Sequence, residues 1–364
     1  MNLFNFFKPK SYLGIDIGTS SIKVVELSKS RDAYKLENYG AVTFFSETEF
    51  LPMEVYEQNA LKIPDEQVAE LLKKIIAETG ITAKKAAISL PVFSAFSTII
   101  ELPPMPDDEL EKAIQFEARQ YVPIPVSEVS LASVVIGEER PKQNQPIAPA
   151  GGVKKRLEIL LVAVPNEIKN KYQHIAQLAG LELVAIEMET FPLSRALLKG
   201  SRDTVAIVDI GARSTDICIV DNGVARISHN FDSAGIDITK AYGSLWRVDL
   251  AEAEKNKKAV GLDLTPGQLS AAGEVLTVVD GIVSETSRII NSYFNKTGRN
   301  VSGVVLSGGS AQMSGLLERF KDGLGLDAVI VNPFEGLIYP RELKETLAKF
   351  GPSYAVAVGL AMRK

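Results

Sequence analysis

Two segments of this chain, far apart in sequence, offer the same groups at the same spacing. Gly14-Ile15-Asp16-Ile17-Gly18-Thr19-Ser20-Ser21-Ile22-Lys23 opens the first half, and Val208-Asp209-Ile210-Gly211-Ala212-Arg213-Ser214-Thr215-Asp216 opens the second. Without a gap, Asp16 aligns with Asp209, Gly18 with Gly211 and Ser21 with Ser214. Each segment follows a short apolar run and leads into another, the pattern of strand, tight glycine turn and strand. Exposed backbone N–H groups in a Ser/Thr-bearing turn form an anion cradle. A carboxylate at the root of the turn suits the water shell of a magnesium ion rather than the anion. Two such turns, one per half, point to a phosphate chain held between two lobes. Lys23 lies seven residues after Asp16 and can return positive charge to a terminal phosphate. Its other reading is a solvated lysine on the exposed face of a strand.

Three further groups are candidates. Ser307-Gly308-Gly309-Ser310 follows an apolar run, and paired glycines let a ribose or flat ring approach the backbone. Glu254 and Lys257 share a face of an expected helix, where a carboxylate could hold ribose hydroxyls and a lysine the base edge. Local chemistry alone favours a charged helix surface there. Glu187 and Glu189 lie between the halves, and either could orient a water in line with a last phosphate. Local spacing does not distinguish these two from solvent-facing residues. His174 and His229 are the only histidines and have no companions at zinc-ligand spacing. A P-loop motif is absent, and the Gly14–Gly18 turn lacks the third glycine of a dinucleotide fingerprint.

Positioning these groups takes more than one core, and 364 residues with 46% apolar content supply it. The formal charge of −5 and the lack of a dense basic segment argue against a nucleic-acid partner. The single cysteine, Cys218, reads as a buried strand thiol in a reducing compartment. No run approaches the ~20 apolar residues of a membrane span. The aromatic start, with Phe4, Phe6 and Phe7 beside Lys8 and Lys10, could rest on a membrane, on a partner groove or on the body itself.

Along the chain, residues 12–44 read as a meander containing the first turn, followed by a helix from Asp65 to Glu78 that Gly80 ends. Ala86–Pro91 reads as a strand, Asp107 and Asp108 open a helix, and strands near Val129–Ile136 and Arg156–Pro165 flank a polar gap at 138–155. A helix over Asn166–Ala179 closes this segment, expected as an inserted unit. The second half restarts with strands at 204–210, 216–221 and 224–230, then helical stretches at 236–260 and 271–294. The last element, around Tyr354–Ala361, is a helix of small residues suited to close packing beneath a cleft.

This order of turns resembles the actin, Hsp70 and sugar-kinase superfamily over almost the whole chain. Within it the chain is similar to the PilM family of type IV pilus assembly proteins, and more distantly to the cell-division protein FtsA. Leu90-Pro91, Leu102-Pro103, Met105, Glu109-Leu110 and Gln115-Phe116-Glu117-Ala118-Arg119-Gln120-Tyr121-Val122-Pro123-Ile124-Pro125 carry that likeness.

The resemblance implies an α/β, actin-like ATPase fold of two lobes and four subdomains with an FtsA-like insertion. The expected boundaries are 1–85, 186–203 and 345–364 for the first phosphate-loop subdomain and 86–185 for the inserted partner-binding unit. The second phosphate-loop and adenosine-turn subdomain would span 204–235 and 301–344, and a mainly helical one 236–300. ATP and magnesium are the implied cofactors. Asp16 and Asp209 would face the ion through water. Gly18, Thr19, Ser20 and Lys23 would form one phosphate loop, with Gly211, Ala212 and Arg213 as the other. Glu254 and Lys257 would contact ribose and base, reversing the reading from local chemistry. Gly308, Gly309 and Ser310 would form the adenosine turn, and Glu189, with Asp16, would orient the attacking water.

Arg213 departs from the small residues of Hsp70-like members. The sequence ends at Lys364 without the amphipathic tail of FtsA, so a partner would supply membrane contact. The implied function is a cytoplasmic ATP-binding scaffold, peripherally attached to the inner membrane, with at most slow hydrolysis. Its implied partners are the cytoplasmic N-terminal peptide of the inner-membrane protein PilN and other inner-membrane assembly components. A phosphotransferase of the superfamily and an FtsA-like filament protein are the alternatives, and self-association stays open.

Overall fold

The computed structural model describes residues 11–30, 33–44, 63–138, 156–263 and 272–363. Two five-stranded sheets share one topology. The first comprises β1 (Ser11–Ile17), β2 (Ser21–Ser30), β3 (Ala33–Thr43), β4 (Lys85–Leu90) and β8 (Glu182–Met188), in the order β3-β2-β1-β4-β8. The second comprises β9 (Val205–Ile210), β10 (Thr215–Asp221), β11 (Val224–Phe231), β12 (Gly303–Ser307) and β13 (Ala328–Ile330), in the order β11-β10-β9-β12-β13. In each, the first three strands form an antiparallel meander and the remaining pairings are parallel. The duplicated motif is thus the visible part of a duplicated sheet. The central strands β1 and β9 are covered on both faces, which is why they read as continuous apolar runs.

Helix α1 (Asp65–Thr79) buries Val68, Leu72 and Ile75 on the first sheet, at helical spacing. Gly80 ends it in the left-handed region, and Ile81 N–H reaches back to Ile76 O. Helix α3 (Asn166–Leu178) packs beside it through Tyr172, Ile175 and Ala176. Helices α5 (Gly235–Trp246), α6 (Leu250–Val260), α7 (Gly273–Thr297) and α8 (Leu316–Leu324) gather on the second sheet around Ile238, Tyr242, Val279, Ile282 and Phe320. Between the two sheets lie α4 (Thr190–Leu198) and α10 (Ala355–Ala361), after the short α9 (Lys344–Phe350). Leu193, Leu197, Val356 and Leu360 meet Ala87 of one sheet and Ile207, Cys218 and Val305 of the other. All seven residues of α10 are buried. A Cβ at Gly14 would fall 2.0 Å from Ala357 O, so glycine alone allows α10 to lie on β1.

The inserted unit is an antiparallel sheet of β5 (Phe96–Leu102), β7 (Leu157–Pro165) and β6 (Val129–Glu138), with α2 (Asp107–Tyr121) over it. Ile100, Leu110, Ile114, Ala118, Ile159 and Leu161 make its separate core. This corrects the expected boundary of 86–185. Strand β4 pairs with β1, β8 pairs with β4, and α3 packs into the core of the first sheet, so none of them belongs to the insertion. Chain order misled here, because the insertion returns directly into elements of the parent sheet. Strands β5, β8 and β13 and helices α4, α8 and α9 were not read from the sequence. Phe4, Phe6, Phe7 and residues 139–155 of the polar gap lie outside the described residues.

Candidate functional site

The two glycine turns are the same structure. Gly18 N–H donates to Ser21 O, and Gly211 N–H donates to Ser214 O, both at 3.0 Å. Asp16 lies opposite Lys23 in the β1–β2 register, and Asp209 lies opposite Asp216 in the β9–β10 register. The pseudo-symmetric mate of a lysine is therefore a carboxylate. On the other side, Ser89 of β4 donates to Asp16 Oδ1 at 3.0 Å. Ser307 of β12 lies opposite Asp209 and lowers that carboxyl, while its hydroxyl donates to Pro352 O at 3.0 Å. Each aspartate thus has a serine beside it on the neighbouring parallel strand. Both aspartates sit at the carboxyl edge of their sheets, where α/β folds place ligands.

Four carboxyl groups converge between the lobes: Asp16, Glu189, Asp209 and Asp216. Glu189 begins α4, where its N–H donates to Leu90 O at 3.0 Å, next to β4 and Ser89. Burial pushes its carboxyl well above the usual range, and Asp216, Asp16 and Asp209 add to the effect. Burial raises the Asp216 carboxyl as well, opposed by the hydrogen bond that its Oδ1 accepts from Asn230 at 2.7 Å. Burial likewise raises Asp209 to about 7; Ser307 and Lys23 oppose the rise, while Asp216 and Asp16 reinforce it. Tyr172 of α3 is buried beneath, its phenol pushed up by burial and by Glu189 and Asp16. Lys23 Nζ, 3.7 Å from Asp16 Oδ2, is the cation on this side. So much crowded carboxylate suits a divalent cation. Among the described residues no three His, Cys, Asp or Glu side chains are grouped as direct metal ligands. Glu187, weighed equally with Glu189 from the sequence, instead pairs with Arg195 at 2.8 Å and Arg363 at 2.6 Å.

The other end of the site is built by α5, α6 and the double-glycine turn. Lys257 is 6% exposed. Its Nζ lies 2.6 Å from Glu254 Oε2, 2.9 Å from Thr239 Oγ1 and 3.1 Å from Gly235 O. Burial alone would raise the Glu254 carboxyl, but Lys257 and the Thr239 hydrogen bond hold it below its usual range. The structure buries Lys257 against α5, where local chemistry favoured a charged helix surface. Gly235 N–H donates to Gly211 O at 3.1 Å, and Ile236 N–H to Ala212 O at 2.8 Å, joining α5 to the second turn. A Cβ on Gly235 would meet Ser310 Oγ at 2.5 Å and Lys257 Nζ at 3.5 Å, so this glycine keeps space open between the two groups. Gly308, at φ +92°, has Ile210 O 2.3 Å from where a Cβ would be, while Gly309 is exposed with open space beside it. At the tip of the second turn, Arg213 Nη1 is buried with no hydrogen-bond partner among the described residues.

The sequence reading missed Ser89, Ser307, Asp216, Gly235 and Thr239. Asp216 was legible, since it stands in the repeat at the place of Lys23. The others depend on parallel pairing and helix docking, which no local pattern shows.

The inserted unit presents a second surface. Phe116, Tyr121 and Ile124 are exposed, Phe116 by 62%. Beside them, Arg119, Ile124, Pro125, Val126 and Ser127 line a hollow of about 360 Å³.

Comparison with known proteins agrees with this architecture. The family model described as Type IV pilus assembly protein PilM matches residues 14–364. The chain belongs to the PilM family. Among solved structures, a PilM-PilN type IV pilus biogenesis complex aligns over 97% of this chain and 98% of that one, with 24% identity and a TM-score of 0.76. MreB 5 of Spiroplasma citri bound to AMPPNP aligns over 97% and 95%, with 14% identity and a TM-score of 0.50. The cell division protein FtsA of Bacillus subtilis (strain 168) is 23% identical over 359 residues, 88% of this chain and 78% of that protein. The PilM family chain thus has the actin-like, two-lobed ATPase fold. Among its described residues no helix is long and apolar enough to cross a membrane.

Proposed function

We propose that this chain is a cytoplasmic, ATP-binding scaffold of type IV pilus assembly that recruits the short cytoplasmic tail of the inner-membrane protein PilN. One observation carries the nucleotide half: two turns, one per sheet, make the same 3.0 Å Gly–Ser hydrogen bond, and the aspartates at their roots converge with Glu189 and Asp216. The backbone of Gly18, Thr19 and Ser20, with Lys23, would hold phosphate from the first lobe. Gly211, Ala212 and Arg213 would hold it from the second. Asp16 and Asp209 would meet Mg2+ through its waters. Glu254, Lys257, Gly308, Gly309 and Ser310 would enclose the adenosine. The MreB relative, which shares the fold, is bound to AMPPNP, and this supports nucleotide binding in general.

For the partner, a relative of the same fold forms a complex with PilN, and the inserted unit of this chain has the exposed apolar surface that a peptide would need. Phe116, Tyr121 and Ile124 beside the hollow offer apolar anchors and Arg119 a polar contact, which suits a short peptide. Attachment to the inner membrane would then come through PilN. Calorimetric titration with Mg·ATP tests the nucleotide reading. Wild-type protein should bind, and Gly18→Val should not, because a branched side chain would stand over the first turn. Equal affinity in the two proteins would refute the placement.

A further inference from the structure

Glu158, in the middle strand of the inserted sheet, takes its cation from the other lobe. In the β5–β7 register it stands opposite Glu101, and like charges directly opposite one another repel. The inserted unit answers Glu101 with its own Arg156, at 3.6 Å. Glu158 is answered by Arg226 of β11, whose Nη1 donates to Glu158 Oε2 at 2.7 Å. The pair is largely buried, with 13% of the arginine side chain and 23% of the glutamate side chain exposed. Arg226 Nε is shut off from solvent with no hydrogen-bond partner among the described residues, so Glu158 is the anchor of this guanidinium.

The inserted sheet is shaped around that carboxylate. Gly137 lies opposite Glu158 on the β6 side, next to a bulge between Val135 and Gly137. A Cβ on Gly137 would stand 3.3 Å from Oε2, the oxygen that Arg226 holds. Bulges of this kind re-aim side chains. Strand β11 is an edge of the second sheet, and it lies against β5 and the turn Val92–Ser94 of the insertion. The insertion thus has covalent connections into the first lobe and a charged contact with the second. We propose that Arg226 and Glu158 latch the inserted unit to the second lobe. Rotation of one lobe against the other must carry the insertion along or part this pair. Parting it leaves two carboxylates in register and a guanidinium short of its partner, which is costly for groups largely out of water. Until the latch opens, the exposed apolar surface on α2 keeps one orientation toward the second lobe.

The test is the rate at which a thiol reagent labels Ser94→Cys, a buried position in the turn against β11. The native Cys218 is the reference for global unfolding, because it lies in the core between the sheets and burial pushes its pKa up to about 12. With the latch intact, Ser94→Cys should label faster than Cys218 and respond little to low urea, as a local opening that exposes little surface. Adding Arg226→Gln or Glu158→Gln should speed labelling of Ser94→Cys about 10-fold, the worth of a charge-assisted hydrogen bond in a partly exposed pair. The protein with both changes should label no faster than either alone, because all three break one contact. Labelling of Ser94→Cys that the variants leave unchanged would overturn the latch. So would equal rates at Ser94→Cys and Cys218 throughout, since the contact would then part only when the chain unfolds. Effects that multiply when the two changes are combined would also overturn it.

Discussion

Helix α6 carries either a solvated charged surface or a buried ion pair, and Lys257→Met separates the two. Methionine keeps the apolar stem and removes the charge with its three contacts, at 2.6, 2.9 and 3.1 Å. Removing one partner of a buried ion pair costs about 3–5 kcal/mol, because the other charge is left uncompensated. The Glu254 side chain is 28% exposed and has Lys258 at 3.4 Å, so water and a second cation soften the loss. We therefore expect about 2–3 kcal/mol. Urea unfolding measures it, with the fluorescence of Trp246 as reporter. This is the only tryptophan, and its ring packs at a tilt against Tyr242 in α5, with centroids 4.8 Å apart, within the helix pair under test. Adding Glu254→Gln should recover about 1–2 kcal/mol, the signature of coupled neighbours. A single variant within about 0.5 kcal/mol of wild type, the range of ordinary surface changes, would refute the buried-pair argument.

The convergent carboxyls predict an unusual pH response. Asp209, raised to about 7, and the Glu189–Asp216 pair bind more protons folded than unfolded, so their contribution to stability falls as pH rises through that range. Asp221 behaves oppositely: burial would raise it, but Tyr293, Thr204 and Arg299 hold it low, and its contribution disappears only below about pH 4. Nucleotide-free protein should therefore melt higher at pH 5.5 than at pH 7.5; a melting temperature that rose steadily toward pH 7.5 would contradict this. Hydrolysis should be slow, because no secure acid–base pair is built around the cleft among the described residues. Phosphate release above about 1 per second would contradict it, as would a large loss of turnover in Glu189→Gln. Asp16→Asn should weaken Mg·ATP binding more than turnover, as read from single-turnover and equilibrium measurements together.

What could be read from the chain divides along physical lines. The gapless repeat exposed both turns, because a tight turn is a local device and its glycine and serine spacing survives on paper. Continuous apolar runs gave the buried strands, and α1 and α7 followed from helical spacing. Strand β8 was missed because acidic residues at Glu182 and Glu187 break its apolar run, and Glu187 is buried only through Arg195 and Arg363. Helix α4 carries Pro192 near its start, which masks its helical character. Lys257 was misjudged from local chemistry because its burial depends on α5 folding over α6.

The most direct test of a nucleotide-responsive scaffold is a pair of titrations on the intact chain. A peptide from the cytoplasmic N-terminus of PilN is titrated with and without saturating Mg·ATP, and Mg·ATP with and without saturating peptide. A ligand touching both lobes favours one closure, and the insertion is tied to that movement through Arg226 of β11 and Glu158 of β7, 2.7 Å apart. Binding in both arms, with the two affinities altered by one shared factor of about 5- to 150-fold, is the predicted result. Superimposable peptide isotherms, or no peptide binding in either state, would contradict it.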